Sequence, residues 1–363
     1  MQHSAPLIVK GSSAPSPALD NAALARSCKT ASVFVICIAI FIAVVVDHLI
    51  ATWIKLPRSK ATYRRIGPTT GPQVFCAGSS LLQFGLSWPE IAETLNQGIE
   101  NWGVAGSSPS EWEMSQKQVT NTNLMIIGFA IHDLNENYLC DSRANVVPIG
   151  QTIKDLWQSK TDRHLSRRML SQYPLAYLRI FFPTSGKSDA VMVGLRKRFR
   201  ELRGLPPSAE EKANFLLLPR GPILTFGDSG LKLSNWPADK TLRRLTSLRK
   251  ELQRPFAFDG PKHLAFLRML DRARQCGRVI VVVLPVAQIY TREFVTPEVV
   301  DKFEQALRDA QRAVPQAEFV RLDQVPAFKS DEYYGDFVHL NIAGRRIATE
   351  IFLSHLKNSS RLP

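Results

Sequence analysis

The sequence predicts an α/β protein: a three-layer α/β/α sandwich around a parallel sheet, with a mostly helical insertion and one N-terminal transmembrane helix. Apolar runs of strand length alternate with stretches of helical spacing over residues 73–136 and again over 262–357. Strands interleaved with helices are typical of a parallel sheet that helices cover on both faces. The alternation stops between these two parts, and an apolar segment precedes them at 31–54.

Five apolar runs predict the strands of this sheet. They are QVFCAG (73–78), GIENWGVAG (98–106), NLMIIGFAI (123–131), RVIVVVLPV (278–286) and AEFVRL (317–322). The fourth run is rich in Val and Ile, as are strands that are buried on both faces. Helical spacing of apolar residues predicts helices after the first strand, after Pro109, over 262–277, over 297–313 and over 341–357.

The composition is that of a folded protein, with 363 residues, 45% of them hydrophobic and 21% charged. The formal net charge of +14 predicts a polyanionic neighbour. Because no zinc-finger, RRM-like or helix-turn-helix pattern accompanies the charge, we expect lipid headgroups rather than nucleic acid as that neighbour. The five cysteines are irregularly spaced and contain no C-x-x-C pair, so they predict neither a zinc site nor a disulfide framework.

Residues 31–54 are long enough to cross a bilayer core, which needs about 20 apolar residues. Asp47 and His48 interrupt the segment near its far end, and Trp53 stands where interfacial aromatic residues are common. The alternatives are a cleaved signal peptide or a buried helix. No A-x-A cleavage site follows, and 30 residues precede the segment, which favours a signal anchor. Residues 1–30 then form a disordered tail, and 55–72 form a basic linker.

The catalytic domain is predicted over 73–357, with an insertion at about 137–260. The insertion mixes arginines with Leu, Tyr and Phe, as in DRHLSRRMLSQYPLAYLRIFFP. One interpretation is a solvated helical cap. The other is a basic amphipathic hairpin that lies on the membrane or against a membrane partner.

A serine pair follows the first predicted strand, at Gly78-Ser79-Ser80. Active sites of parallel α/β sheets gather at the carboxyl ends of the strands. A serine at such a turn projects its Oγ over the sheet edge, where nearby backbone N–H groups can face a developing oxyanion. The alternative is that Ser79 or Ser80 only caps the next helix, which is a common role of serine.

Two later strand ends also carry suggestive residues. Gly106 ends the second run, where a glycine lets the backbone approach a ligand and donate its N–H, unless it only makes a turn. Asp336 and His339 form a D-x-x-H motif before the last predicted helix. A histidine that takes a proton from serine needs a carboxylate to fix its tautomer, and this motif supplies both groups. The alternative is a helix-capping Asp beside a surface His.

Together these motifs resemble the SGNH (GDSL-like) hydrolase superfamily. The order is strand–G-S-S-L, then N-x-G-V-x-G, then a late D-x-x-H-L-N-x-x-G before the last helix. The resemblance implies an SGNH hydrolase-like fold with Ser80 as the nucleophile and Ser79 as its neighbour in the substrate site. It further implies that Gly106 is an oxyanion-hole residue, and that Asp336 and His339 are the acid and base of the triad.

The sequence departs from the family in the third motif, where an Asn follows the strand glycine as G-x-N-D. Here Ala130, two residues after Gly128, stands where the Asn would. The missing oxyanion donor is then Asn135, another side chain, or backbone N–H groups alone. His132 and Asp133 are candidates for the substrate site; alternatively, they are polar residues that leave a buried strand.

A second serine motif, G-D-S-G at 227–230, matches the family signature more closely than the first. The run before it is short and begins with Pro222, and no helix fits before Pro237. We therefore predict a turn at Ser229 and keep Ser80 as the nucleophile.

The resemblance implies acyl transfer through an acyl-enzyme on Ser80, either to water or to a sugar hydroxyl, with no metal or organic cofactor. A single anchor and a basic surface around such a core resemble DltD- and alginate-acetylation-type proteins. The implied substrate is an envelope or exported polysaccharide, or another acyl ester. The implied partners are membrane lipid and a multi-spanning membrane acyltransferase.

Two other functions stay open. A membrane-surface lipid esterase or thioesterase would act on acyl chains longer than acetyl and depend on anionic lipid. A non-catalytic envelope assembly factor would keep the fold for binding, and the missing Asn of the third motif allows this alternative.

The side of the membrane on which the domain lies is predicted differently by two signals. Arg26 and Lys29 precede the apolar segment, whereas five basic residues follow it closely: Lys55, Arg58, Lys60, Arg64 and Arg65. The positive-inside rule places the domain in the cytoplasm. The family resemblance implies the extracytoplasmic (periplasmic) side of a single-pass protein, and we favour this side.

Overall fold

The computed structural model describes the chain in segments. The described residues are 18–53, 64–66, 73–103, 106–116, 122–138, 143–144, 147–159, 161–182, 184, 188–205, 232–252 and 254–358. The chain divides into two compact units. The smaller combines the N-terminal apolar helix with Leu178–Arg196, and the larger combines Pro57–Tyr177 with Lys197–Pro363.

A six-stranded sheet forms the core of the larger unit. Its strands are β1 (Arg64–Ile66), β2 (Gln73–Gly78), β3 (Gly98–Gly103), β4 (Thr122–Phe129), β5 (Arg278–Val283) and β6 (Glu318–Arg321), in the spatial order β1-β3-β2-β4-β5-β6. β1 is antiparallel to β3, and the other five strands run parallel to one another. The predicted α/β class with a parallel sheet is therefore confirmed.

The α-helices of the described residues are α1 (Ala18–Trp53), α2 (Ser80–Gly85), α3 (Trp88–Leu95), α4 (Pro109–Gln116), α5 (Ile149–Gln158), α6 (Arg163–Leu170), α7 (Tyr173–Phe181), α8 (Ser188–Leu202), α9 (Ala238–Glu251), α10 (Pro261–Ala273), α11 (Gln288–Phe294), α12 (Pro297–Ala313) and α13 (Ile342–Asn358). The apolar pattern after β2 appears as two helices, because Pro89 starts a new helix at α3. In the larger unit, α10 contacts α4, α5 and α12, while α13 contacts α2 and α3.

The direction in which successive strands are added to the sheet reverses between β2 and β4. β3 lies on one side of β2, whereas β4, β5 and β6 follow on the other side. Numbered in chain order, the five parallel strands are arranged 2-1-3-4-5. In such sheets, ligands bind beyond the carboxyl ends of the first and third strands, where the order reverses. Here those ends lead into Ser80 and into Ala130, so the topology brings the two predicted motifs to one edge.

Four strands end earlier than the apolar runs predict: β6 ends one residue early, at Arg321, and three others end two or three residues early. β3 ends at Gly103, β4 at Phe129 and β5 at Val283. The runs continue because residues beyond the strands stay buried: Ala130 and Leu284 are only 0% and 3% exposed. Hydrophobicity indicates burial rather than backbone conformation. A buried turn that follows a strand therefore cannot be distinguished from a continuation of the strand by its apolar residues.

The predicted basic linker 55–72 contributes to the sheet. Its residues Arg64–Ile66 form β1 and pair with Ile99–Asn101 of β3. A short strand with two arginines at a sheet edge is a common protection against pairing with other chains. The rest of the linker lies outside the described residues.

The described residues of the insertion are mostly helical, as predicted, and a buried ion-pair network joins them to the core. Arg143 donates hydrogen bonds to Asp155 of α5 and to Ser110 of α4. Arg268 of α10 binds the carboxylates of both Asp155 and Glu113, at 2.8 and 2.9 Å. Each buried charge thus has a partner, which burial requires. Ser229 and its G-D-S-G motif lie outside the described residues.

Helix α1 extends further than the predicted apolar segment. Its residues Ser32–Trp53 are long and apolar enough to cross a membrane or to act as a signal sequence, and none of the most apolar stretch is buried by protein. Residues 18–30, predicted as part of a disordered tail, are helical. The physical reason is that the Ala-rich sequence ALDNAALARSCK has high helix propensity and continues directly into the apolar span.

Candidate active site

Ser80, His339 and Asp336 form a continuous chain of hydrogen bonds. The Nε2 atom of His339 lies 2.9 Å from Ser80 Oγ, and its Nδ1 atom lies 2.8 Å from Asp336 Oδ2. The side chains of His339 and Asp336 are 16% and 21% exposed, so the chain of bonds lies at the surface of the core and within reach of a substrate. The structure therefore brings together three residues that the sequence placed in two separate motifs.

The two serines after β2 have different roles. Ser79 is the N-cap of α2, and its Oγ accepts the Leu81 N–H at 3.2 Å. Ser79 thus fills the capping role that the sequence left open for either serine. Ser80 is the first residue of α2, and its hydroxyl is left to contact His339.

The D-x-x-H motif is a tight local turn. Asp336 Oδ1 accepts the backbone N–H groups of Val338 and His339, at 2.9 and 2.7 Å. Burial alone would raise the pKa of Asp336, but the hydrogen bonds and charge of His339 outweigh it and hold the pKa below its ordinary value. Asp336 therefore remains a carboxylate at neutral pH and can fix the imidazole tautomer.

The residues after His339 hold this turn in place. Gly335 N–H donates to His339 O at 2.9 Å. Asn341 donates its side-chain N–H to Glu332 O at 2.6 Å and accepts the Gly344 N–H at 3.0 Å. A Cβ at Gly344 would lie 2.3 Å from a backbone oxygen, so only glycine fits there. The Asn and Gly of the H-L-N-x-x-G motif thus position the histidine rather than contact the serine.

A hydrogen bond joins the loop that contains Gly106 to the end of β2. Gly106 has φ = 70°, a conformation that glycine adopts without strain. Ser107 donates its hydroxyl to the carbonyl of Gly78 at 2.9 Å and accepts the indole N–H of Trp112 at 2.8 Å. Ser107 is not among the predicted site residues, because no local pattern indicates a partner 29 residues away.

Asp133, in the turn that follows β4, stabilises the serine turn by hydrogen bonds. It is buried, and its Oδ2 accepts the Ser79 hydroxyl at 2.8 Å and the Ala130 N–H at 2.9 Å. Asp133 therefore joins the ends of β2 and β4, directly beside Ser80. The backbone N–H of Ala130 is already engaged by this carboxylate.

Asn135 and Glu136 connect the end of β4 to the far side of the insertion. Asn135 Oδ1 accepts the N–H of Asn137 at 3.2 Å and of Ala257 at 3.1 Å. Glu136, which the sequence analysis did not single out, accepts the N–H groups of Lys262 and His263 at the start of α10. Burial raises the pKa of Glu136 to about 7, against the opposing effect of the Lys262 charge. Both residues fix where the insertion leaves and rejoins the core.

His132 is buried beside the triad. Its ring packs against Tyr138 and Tyr290, with centroids 5.1 and 5.7 Å apart. Its Nδ1 atom has no hydrogen-bond partner among the described residues. Burial lowers the pKa of His132, an effect that the Asp133 charge only partly offsets, and the charges of His339 and Asp336 are close enough to act on it. A neutral imidazole with one unpartnered nitrogen thus lies at this edge of the sheet.

Comparisons with solved structures give distant similarities. No protein-family model and no curated protein matches the sequence. A solved structure from Streptococcus pneumonia, provisionally described as a platelet activating factor, is similar with 12% identity and a TM-score of 0.36, over 85% of this chain and 92% of that chain. Within the described residues, no three His, Cys, Asp or Glu side chains are grouped so as to hold a metal ion.

Proposed function

We propose that this chain is a serine-dependent acyl-transfer enzyme of the SGNH hydrolase type, with a three-layer α/β/α catalytic domain. The hydrogen-bonded series Ser80–His339–Asp336 carries the proposal, since an activated serine needs a base in contact and a carboxylate behind that base. The 2-1-3-4-5 strand arrangement and the two separate groups of helices support the layered fold.

In the first step, Ser80 Oγ attacks an ester carbonyl carbon while His339 Nε2 accepts the hydroxyl proton. Asp336 accepts the His339 Nδ1–H and stabilises the imidazolium that forms. The tetrahedral intermediate then breaks its bond to the alcohol oxygen, which takes the proton from His339. An acyl ester remains on Ser80.

In the second step, a hydroxyl of water or of a sugar gives its proton to His339 and attacks the acyl carbon. The bond to Ser80 Oγ breaks, and the serine recovers its proton from His339. Water as acceptor makes the chain an esterase, and a sugar hydroxyl makes it an O-acyltransferase. We favour O-acylation or deacylation of an envelope or exported polysaccharide, with a multi-spanning membrane acyltransferase as partner and the domain on the extracytoplasmic side.

The negative charge of the intermediate needs hydrogen-bond donors. The backbone N–H groups of Ser80 and Gly106 are the first two in our proposal. For the donor that the third motif lacks, we favour His132 over Asn135. Both residues have a buried side-chain nitrogen without a hydrogen-bond partner among the described residues, Nδ1 of His132 and Nδ2 of Asn135. We favour His132 because the charges of His339 and Asp336 act on it, whereas the Asn135 side chain is fixed by two backbone N–H groups, one of them in the insertion.

Reaction with a fluorophosphonate probe tests the proposed nucleophile. The full-length chain in detergent is expected to be labelled covalently, because the probe reacts with an activated serine whatever the natural acceptor is. Ser80→Ala is expected to abolish labelling, and Ser229→Ala is expected to keep it. Labelling of a folded Ser80→Ala protein, or none of the wild type, would contradict the proposal and favour the non-catalytic assembly factor.

Substitutions of His132 and Asn135 separate the two donor hypotheses. His132→Ala is expected to lower kcat for ester hydrolysis by about 10²-fold, which is typical for one oxyanion donor, and His132→Asn is expected to recover part of the loss. Asn135→Ala is expected to lower the melting temperature more than kcat. The control is His164→Ala, at an exposed site of α6. A loss of kcat in Asn135→Ala but not in His132→Ala would reverse the assignment.

Acyl-chain preference distinguishes the remaining enzymatic alternative. A lipid esterase or thioesterase would hydrolyse long-chain esters faster than acetyl esters and would require anionic lipid. An enzyme that acts on a glycan is instead expected to transfer short acyl groups to or from a carbohydrate.

A further inference from the structure

A hydrogen-bonded contact joins the apolar helix α1 to the segment that follows α7. The backbone N–H of Thr184 donates to Asp47 Oδ2 at 3.1 Å, and the Thr184 hydroxyl donates to Asp47 Oδ1. Both residues belong to the smaller compact unit, in which Leu178–Arg196 accompanies α1. One segment of the insertion therefore contacts the apolar helix.

The position of Asp47 fixes the depth of this contact. Asp47 precedes Trp53, the last residue of the apolar stretch Ser32–Trp53, by six residues. At about 1.5 Å per residue, the carboxylate lies roughly 9 Å inside the end of the stretch. An ionised carboxylate at that depth of a bilayer costs free energy unless it is hydrogen-bonded. Thr184 supplies two donors, and it must then lie at the same depth as Asp47.

Four apolar side chains near Thr184 in the sequence are exposed. Ile180 and Phe181 are 63% and 59% exposed, and Leu178 and Met192 are 45% and 50% exposed. Adjacent exposed apolar side chains of this size usually mark a contact surface. The segment 178–196 contains three basic residues and one acidic residue, which suits an anionic lipid surface.

We propose that Leu178, Ile180, Phe181 and Thr184 form a second membrane contact, which lies in the interface of a phospholipid bilayer beside α1. Ile180 and Phe181 enter the acyl-chain boundary, and Thr184 satisfies the carboxylate of Asp47. The proposal rests on α1 being a membrane span. It gives the chain a second attachment to the bilayer, separate in sequence from the N-terminal anchor.

Depth-dependent fluorescence quenching of the full-length chain in nanodiscs tests this proposal. The nanodiscs contain phosphatidylcholine and phosphatidylglycerol, with doxyl-labelled lipid as the quencher inside the bilayer and iodide as the quencher in water. An environment-sensitive fluorescent amino acid replaces Phe181, or Phe41 within the span, or Glu350 on the polar surface of α13. Encoding the fluorophore avoids labelling of the natural cysteines.

The probe at position 181 is expected to behave like the one at 41, with at least a two-fold stronger quenching by doxyl lipid than at 350 and protection from iodide. If position 41 is quenched by lipid while 181 is quenched by iodide, the membrane contact is wrong although the span is right. If neither quencher reaches 181, the segment is covered by protein and the lipid assignment is wrong. If 41 itself is open to iodide, α1 is not a membrane span, and this inference fails with it; the serine chemistry is unaffected.

Discussion

Ser80→Ala and His339→Ala are each expected to lower kcat for hydrolysis of p-nitrophenyl acetate by about 10⁴-fold or more. The physical reason is that neither residue works alone. Without the imidazole 2.9 Å from its Oγ, Ser80 keeps its proton and is a poor nucleophile, and without the serine the imidazole has no oxygen to activate. The double variant Ser80→Ala/His339→Ala is therefore expected to be no slower than either single variant.

The measurement is steady-state release of p-nitrophenol, with far- and near-ultraviolet circular dichroism to confirm that each variant is folded. Ser354→Ala, at an exposed position of α13, is the matched control and is expected to keep wild-type kcat. Losses that multiply in the double variant would mean that the two residues act independently. That result would contradict a catalytic unit built on Ser80 and His339.

Gly78→Ala is expected to destabilise the protein by about 3 kcal/mol, the upper part of the usual range for overpacked cores. A Cβ on Gly78 would lie 2.2 Å from the backbone oxygen of Gly128 and 2.7 Å from Leu82 Cβ. The oxygen belongs to the neighbouring strand β4, paired with β2 at this residue, so it cannot move without separating the two strands. The same displacement would shift Ser80 away from His339.

The melting temperature of the full-length chain in detergent measures this effect, with an expected decrease on the order of 5–10 °C. Gly150→Ala is the control, because a Cβ at Gly150, on α5, meets no atom within 4 Å. An Ala there is expected to leave the stability unchanged or to raise it by up to about 1 kcal/mol. Equal melting temperatures for the two variants would show that the close approach of β2 and β4 is not needed.

Much of the sheet and the two halves of the candidate site follow from local sequence. The run 278–286 could be assigned to a buried strand because its apolar residues are continuous, and α12 has the predicted bounds 297–313. Asp336 and His339 lie in one turn of four residues, so their contact is a property of the local chain. The predicted meeting of Ser80 with this turn depends on one further rule, that parallel strands end at a common edge.

Other features required the tertiary structure. The hydrogen bond from the Ser79 hydroxyl to Asp133, 54 residues away, is not specified by any local motif. The pairing of Arg64–Ile66 with β3 has no signal in a basic linker, since an edge strand buries little apolar surface. Strand ends were misplaced because buried turns such as the one at Ala130 are as apolar as strands.

The sequence by itself determined most of the element types, the strand ends that carry polar residues, and the candidate serine, histidine and carboxylate. These depend on residue type and on spacing over a few positions. The tertiary structure decided that Asp133 accepts the Ser79 hydroxyl, that Arg64–Ile66 pair with β3, and that Thr184 contacts Asp47 across 137 residues. Such contacts are set by the packing of segments that are distant in sequence. The local pattern of hydrophobic and polar residues carries no information about them.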